Sequence, residues 1–243
     1  MLIVPYRSVE TTTLSSEIHK LIKAIPESND FSDPRMLSLL PFPSLLEKPK
    51  RFTISDHDGV EHFEYMGRLK FGELRTRIKG EYFLRAYERL YVYGTSGSGK
   101  SHILAALVCQ LIREGERVVY LPDCYRLLEN AARAIWHALL FAFHDTAHLE
   151  AVENPDDVDA LIAFMSHWKN LYVVVDQMNS LEAVQQDERA EKKKKVRDWL
   201  DRMRSGHRYI FSASANEISS REAHTKQSGI EVFYILGGMT KVC

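Results

Sequence analysis

Residues 94–101 read GTSGSGKS, which is a complete GxxxxGK(S/T) phosphate-binding pattern. Its glycines let the backbone curl so closely that successive N–H groups point inward, where a side chain would block an anion. Lys100 adds a positive charge for the β and γ phosphates, and Ser101 offers a hydroxyl to Mg²⁺ at the N-terminus of a helix. The pattern predicts a nucleoside-triphosphate site made by Gly94, Thr95, Ser96, Gly97, Ser98, Gly99, Lys100 and Ser101.

The sequence on both sides of this loop is that of a strand followed by a helix. The segment LYVYG before it has the composition of a buried strand, and SHILAALVCQLIREG after it has that of a packed helix. A strand, a glycine-rich loop and a helix in this order are the context that the pattern requires. They favour a phosphate site over an ordinary Gly/Ser turn.

A second apolar run, LYVVVD at residues 171–176, ends in an acid. Such a run is typical of a central parallel strand, whose C-terminal end lies at the edge of the sheet where ligands bind. The sequence therefore predicts that Asp176 serves the metal ion, although a turn or helix-capping acid is the alternative. Residues 118–121 form the intervening strand that a βαβ series needs.

The residue after this acid is Gln177, where many ATPases have a Glu that polarises the attacking water. A neutral amide orients water through its oxygen but cannot take its proton. We therefore expect Gln177 to position water and hydrolysis to be slow, or to need an activator. Asn179 and Glu182 follow closely and are more simply interpreted as loop and helix-start residues than as a base.

A third apolar strand, at residues 209–211, leads into SASAN, a run of small polar residues. A Ser or Asn at the end of a neighbouring strand can bond the γ-phosphate or the attacking water, so Ser214 and Asn216 are both candidate sensors. A plain change from strand to loop is the alternative for them. Arg221 is the sole arginine downstream of this strand, and a solvated loop position is favoured over a catalytic one.

Helix and strand patterns alternate along the chain from residue 71 onward. Apolar periodicity predicts helices at residues 71–89, 125–143 and 156–168. A lysine run at residues 192–195 lies in another helical segment, where a solvated face is favoured over a patch for nucleic acid or nuclear import. The alternation predicts an α/β fold, a P-loop NTPase three-layer sandwich with a mostly parallel sheet.

The first part of the chain is organised differently. Prolines interrupt the apolar patches of residues 1–50, which predicts an irregular arm with one short helix near residues 15–24. The segment RFTIS–DHDG–VEHFEYM then predicts a hairpin, from which Tyr65 or Arg68 could approach the nucleotide base, with packing or surface roles favoured. We expect residues 51–243 to form the P-loop domain.

The composition of the chain limits the partners and the cellular compartment that can be expected for it. The net charge of the 243 residues is −1, which gives no general support for binding nucleic acid or a membrane. Cys109 is the cysteine that lies in an apolar helical stretch, where a buried reduced thiol is expected. The N-terminal MLIVPYRSVE contains no signal-peptide pattern, so we expect a soluble, intracellular protein.

The motifs together resemble the ATPase module shared by Crinkler-type effectors and the retrotransposon hot spot proteins of trypanosomes. The resemblance lies in YVYGTSGSGKSHILAALVCQLIREGERVVYLPDC, LYVVVDQMNSLE, HRYIFSASANE and FYILGGMT. It implies an AAA-like or STAND-like P-loop core, with Lys100, Ser101 and Asp176 in the roles given above and Gln177 as a family feature. It also allows self-association, a host protein partner, and delivery to a host cell or nucleus.

Two parts of such proteins are absent from the sequence. There is neither the ubiquitin-like header with its LFLAK-type motif nor a nuclease domain, and the chain stops just after GGM, where relatives are expected to continue. We therefore expect a C-terminally truncated copy.

The sequence as a whole predicts slow, Mg²⁺-dependent ATP hydrolysis that drives a conformational or assembly switch. ATP is preferred over GTP because no NKxD-like guanine-reading segment follows the acid strand. The alternative is a nucleotide-dependent interaction module without turnover. A nucleic-acid-handling ATPase and a small-molecule kinase rank lower.

Overall fold

The computed structural model describes residues 9–52, 54–57, 59–80, 83, 89–144, 148–149, 152, 154–182, 188–214 and 229–235. For residues 9–10, 54–57 and 214 the description is of the backbone alone. The strands are β1 (Leu37–Pro41), β2 (Ile54–His57), β3 (Val60–Met66), β4 (Arg89–Gly94), β5 (Val118–Leu121), β6 (Tyr172–Val175), β7 (Arg208–Ser214) and β8 (Ile230–Tyr234). The helices are α1 (Val9–Lys23), α2 (Leu69–Lys79), α3 (Lys100–Arg113), α4 (Cys124–Ala142), α5 (Val158–Ser166) and α6 (Ala190–Met203). A 3₁₀ helix covers Met178–Leu181.

The central sheet has the strand order β5-β6-β7-β4-β8, and its neighbouring strands are parallel. Alternate residues of each strand belong to two different buried clusters. In β4, Leu90 and Val92 pack in the cluster that includes α3, whereas Tyr91 packs with α4 and α6. Because both faces are covered, β5 and β6 are buried and almost wholly apolar. The predicted three-layer α/β sandwich is confirmed.

A small antiparallel sheet with the order β1-β3-β2 packs against α3. The predicted hairpin is confirmed as β2 and β3, which pair from Ile54↔Phe63 to His57↔Val60. Strand β1 comes from the arm that was expected to be irregular, and it pairs with β3 over its whole length. Sequence patterning missed it because Pro41, which disfavours strands, occupies the last position of an edge strand, where proline is tolerated.

Helices α1 and α2 differ from their predicted bounds. Helix α1 begins at Val9, well before the predicted start at residue 15, because no proline lies between Pro5 and Pro26 to interrupt it. Helix α2 begins at Leu69 and ends at Lys79, so the predicted continuation to residue 89 is wrong: Gly80 is extended, with φ −64° and ψ 145°, and Arg89 begins β4.

Helix α4 was predicted as one continuous helix, but it contains a break. Asn130 has φ −150° and ψ 96°, which are not helical values. Its side-chain oxygen accepts a hydrogen bond from the backbone N–H of Arg133 at 3.0 Å, so it caps the second half of the helix. The preference of asparagine for such caps explains the break.

The lysine run lies in α6, as predicted. Val196, Leu200 and Met203 form its buried side, and Lys192, Lys194 and Lys195 are exposed. Among the described residues no helix has the length and apolar character needed to cross a membrane.

Candidate functional site

The phosphate-binding loop joins the end of β4 to the first residue of α3. Gly99 precedes the helix with φ 82°, a left-handed conformation that a side chain would strain. Gly94 is needed for space, because a Cβ there would lie 2.5 Å from the carbonyl oxygen of Ile235 and 2.8 Å from Ser98 Oγ. The backbone therefore has the tight curl that the motif predicts.

Lys100 is buried, with 5% of its surface exposed. Its Nζ donates to the carbonyl oxygens of Gly94 at 2.6 Å and Thr95 at 2.9 Å, so the amine spans the loop. Burial lowers the pKa of Lys100, and the negative charge of Asp176 opposes that shift. An anion bound in the loop would favour the charged amine in the same way as Asp176 does. Ser101 is also buried at the N-terminus of α3.

Asp176 follows β6 directly and is completely buried. Its Oδ1 accepts the backbone N–H of Gln177 at 2.9 Å and the hydroxyl of Ser212. Its Oδ2 accepts Nη2 of Arg51 at 3.0 Å. Because β7 alone separates β6 from β4, the acid and the phosphate loop lie about two strand spacings, roughly 10 Å, apart at one edge of the sheet.

Gln177 has an unusual backbone conformation, with φ 65° and ψ 41°. A left-handed conformation is uncommon for a residue with a side chain, and such outliers concentrate at functional sites. The backbone of Gln177 donates to Asp176, and its carbonyl accepts the Oγ of Ser180 at 2.9 Å. The left-handed backbone of Gln177 therefore helps to fix the position of the Asp176 carboxylate.

The candidate sensor Ser214 lies at the end of β7, the strand beside the one that carries the acid. Ser214 is the last residue of β7 and pairs with Gly94, which places its backbone beside the phosphate loop. Asn216 and Arg221 lie outside the described residues. Ser212 is the residue that sequence reasoning passed over in this run. Its position two residues before the candidate Ser214 was the available signal, because alternation along a strand predicts the same face for residues two apart.

Two arginines approach the site from the small sheet. Nη1 of Arg68 donates to the carbonyl oxygen of Ser98 at 2.6 Å. A Cβ on Gly99 would lie 2.5 Å from both Nη atoms of Arg68, so the guanidinium lies against the glycine face of the loop. The sequence had favoured a packing or surface role for Arg68. Tyr65, its companion candidate, is a core residue with 1% exposure.

Arg51, the second arginine, was not predicted. The pairing Ile54↔Phe63 shows that the start of β2 and the end of β3 lie at the same open end of the hairpin. Arg51 precedes that start and Arg68 follows that end, so one end of the hairpin brings both cations to the phosphate site. No local pattern in the sequence indicates this, because it depends on how the hairpin packs on α3.

An aromatic contact fixes the hairpin at this position. The ring of His102, one residue after Ser101, lies 4.6 Å from the ring of Phe52, centroid to centroid. Burial lowers the pKa of His102, and the nearby charges of Arg68 and Arg51 lower it further. A neutral imidazole suits this position between an aromatic ring and two cations.

These residues fit a magnesium-bound nucleoside triphosphate. The space beside Gly97 is open, since a Cβ there would meet nothing within 4 Å, and the buried Oγ of Ser98 has no hydrogen-bond partner among the described residues. Ser101 and Asp176 supply the hard oxygen donors that Mg²⁺ prefers, and Lys100 supplies a cation for phosphate. The bound ion would neutralise phosphate charge.

The parallel sheet, the loop between β4 and α3 and the acid after β6 define a P-loop NTPase fold. No model of a protein family matches the chain, and no curated protein sequence matches it. Among solved structures, a DNA replication initiation factor is 15% identical with a TM-score of 0.39, over 68% of this chain and 46% of that one. PCH-2 of C. elegans is 12% identical with a TM-score of 0.35, over 68% of this chain and 39% of that one. The matched regions span less than half of either structure.

Proposed function

We propose that the chain binds Mg²⁺-ATP and hydrolyses it slowly, and that the γ-phosphate controls a conformational or assembly switch. The observation that carries the proposal is the buried arrangement of Lys100 in the loop and Asp176 at the tip of β6. Lys100 and the loop amides hold the phosphates, and Ser101 and Asp176 serve the ion. Ser214 or Asn216 senses the γ-phosphate.

The slow rate follows from Gln177. Its amide has no basic group to accept the proton of the attacking water, and its backbone is committed to holding Asp176. Small GTPases show that a glutamine in such a role supports slow intrinsic turnover. Restoring a carboxylate at this position is therefore expected to increase the rate.

A second candidate is a nucleotide-dependent interaction module that binds without turnover. The strained backbone of Gln177 favours it, because an acid held by a fixed turn can bind a metal ion without any base beside it. The resemblance to Crinkler-type proteins agrees with either candidate, and we propose the relationship on its motifs alone. We also propose that residues 51–243 form the nucleotide-binding domain.

Single-turnover release of phosphate from radiolabelled ATP separates the two candidates. We expect slow release by the parent chain, loss of release in Asp176→Asn, and faster release in Gln177→Glu. Lys100→Ala is expected to lose nucleotide binding by at least about a hundredfold while keeping its fold, because it removes a buried cation from the phosphates. Lys194→Ala, on the exposed side of α6, is the matched control and should behave as the parent does.

Tight binding with no phosphate release over hours would support the interaction module instead. Unchanged affinity in a folded Lys100→Ala variant would contradict both candidates, since both place the triphosphate in this loop.

A further inference from the structure

The buried acid of the site is already paired with a cation. Arg51 Nη2 lies 3.0 Å from Oδ2 of Asp176, whose side chain is fully buried. The other carboxylate oxygen accepts from Ser212 and from the backbone of Gln177. Among the described contacts, Oδ2 is therefore the oxygen that a metal ion or its water could take over, and Arg51 holds it.

The guanidinium is fixed by more than this bond. Nη2 also donates to the carbonyl oxygen of Pro122, and Nη1 lies 3.8 Å from Asp123 Oδ2. Its Cζ lies 5.6 Å from the centre of the Phe52 ring, and the side chain is 27% exposed. Arg51 thus bridges the ends of β5 and β6 from the hairpin, and it is the partner of this pair that solvent already reaches.

The cost of burying an unpaired carboxylate explains why an Arg–Asp pair stabilises the site when no ion is bound. A fully buried carboxylate without a partner is costly, and a guanidinium at hydrogen-bond distance offsets that cost. Mg²⁺ needs the same carboxylate, and two cations at one oxygen repel each other strongly in a poorly solvated site. Arg51 and the ion therefore compete for the Asp176 carboxylate.

We propose that Arg51 is a built-in competitor of Mg²⁺ for Asp176, which sets the Mg²⁺ concentration at which the site takes up its nucleotide. The proposal rests on the nucleotide site described above. Arg51 compensates Asp176 while the site is empty and leaves Oδ2 when the ion and triphosphate bind. An ion pair that only anchors the hairpin would not compete in this way.

The test is the binding of a fluorescent N-methylanthraniloyl-ATP as Mg²⁺ is titrated from EDTA to millimolar concentrations. We expect Arg51→Gln to lower the Mg²⁺ midpoint on the order of tenfold, because Asp176 is then free. Arg51→Lys should shift the midpoint less, since it keeps the charge. Arg35→Gln is the matched control, because Arg35 pairs with Asp33 at 2.8 Å on an exposed surface and should leave the midpoint unchanged.

A double-mutant cycle gives a readout that a structural role would not move. In an Asp176→Asn background, Arg51→Gln is expected to have no further effect on the Mg²⁺ midpoint, since the contested carboxylate is gone. Thermal melting without nucleotide is the second readout. Arg51→Gln should lower the melting temperature in EDTA and show a larger Mg²⁺-induced rise than the parent. Arg51→Lys serves both measurements if the glutamine variant does not fold.

Three results would decide against the proposal. A parent chain that binds the nucleotide, together with an Arg51→Gln midpoint that is unchanged or higher, overturns this inference alone. A shift that persists in full in the Asp176→Asn background also overturns it. A parent chain that ignores the nucleotide at every Mg²⁺ concentration overturns the proposed function, and the inference with it.

Discussion

At the scale of single residues, the loop depends on glycines for two different reasons. Gly97 and Gly99 both have positive φ values, 76° and 82°. A Cβ on Gly97 would meet nothing within 4 Å, whereas one on Gly99 would meet the guanidinium of Arg68. The first position therefore requires glycine for conformation, and the second requires it for conformation and for space.

This difference predicts unequal costs of two alanine substitutions. Gly97→Ala should lower the free energy of unfolding by about 1 kcal/mol, the usual cost of a left-handed residue with a side chain. Gly99→Ala should cost about 1 kcal/mol more, because it also displaces Arg68 from the Ser98 carbonyl. Urea denaturation measures both values.

An Arg68→Ala background is the control for this pair. There the two glycine substitutions are expected to cost the same, since the crowding guanidinium is absent. A Gly99→Ala cost equal to that of Gly97→Ala in the parent chain would show that Arg68 moves aside freely.

At the scale of elements, α1 docks on the end of α4 through a buried histidine. His19 is 6% exposed, and its Nε2 lies 2.8 Å from the carbonyl oxygen of Phe141, so the neutral ring donates an N–H there. Its ring stacks on that of His144 with centroids 4.0 Å apart. Burial, with added repulsion from His144, lowers the pKa of His19 to about 3.

This shift predicts that acid loosens the docking. Because the folded pKa of His19 is below its ordinary value of 6.5, the unfolded chain takes up the proton first as the pH falls. The contribution of His19 to the free energy of unfolding is fully present above about pH 6.5. It falls as the pH drops below that value, by about 2 kcal/mol at pH 5. Denaturant unfolding at pH 7 and pH 5 measures the decline.

The matched variants for this prediction are His19→Gln, which can still donate to the Phe141 carbonyl, and His148→Gln, which alters an exposed histidine. The first should lose most of the pH dependence assigned to His19, and the second should keep it. An unaltered decline in His19→Gln would assign the acid sensitivity to other groups.

At the scale of the whole molecule, the candidate nucleotide site joins two sheets. The loop and Asp176 belong to the central parallel sheet, while Arg51 and Arg68 come from the open end of the small sheet's hairpin. The two sheets pack on α3, whose first turn carries Lys100 and Ser101. Binding of Mg²⁺-ATP at this site is therefore expected to change the contacts of the small sheet as well.

Hydrogen exchange with and without Mg²⁺-ATP tests this coupling. If the proposed site is correct, exchange at residues 94–101 should slow as the loop N–H groups bind phosphate, and exchange at residues 51–52 should rise as Arg51 leaves Asp176. Helix α6 is the internal control, since its buried residues pack in the cluster on the opposite side of the central sheet from α3. Changes confined to the loop would show that the small sheet does not respond.

The sequence by itself determined the parts of this protein whose chemistry is local. The phosphate loop lies in eight consecutive residues, and the apolar runs that end in Gly94 and Asp176 identify strands whose composition suits a sheet buried on both faces. The parallel three-layer fold follows from their alternation with helices. These features could be predicted because each is set by neighbours in the chain.

Only the tertiary structure decided which distant groups surround the acid. Ser212 and Arg51 bond to Asp176 across 36 and 125 residues of chain, and Arg68 reaches the loop across 30. Their placement depends on the strand order and on the packing of the hairpin against α3. The periodicity of β7 could have indicated Ser212, but no local pattern indicates Arg51 or Arg68, because burial and sheet order, and not local propensity, bring them to their partners.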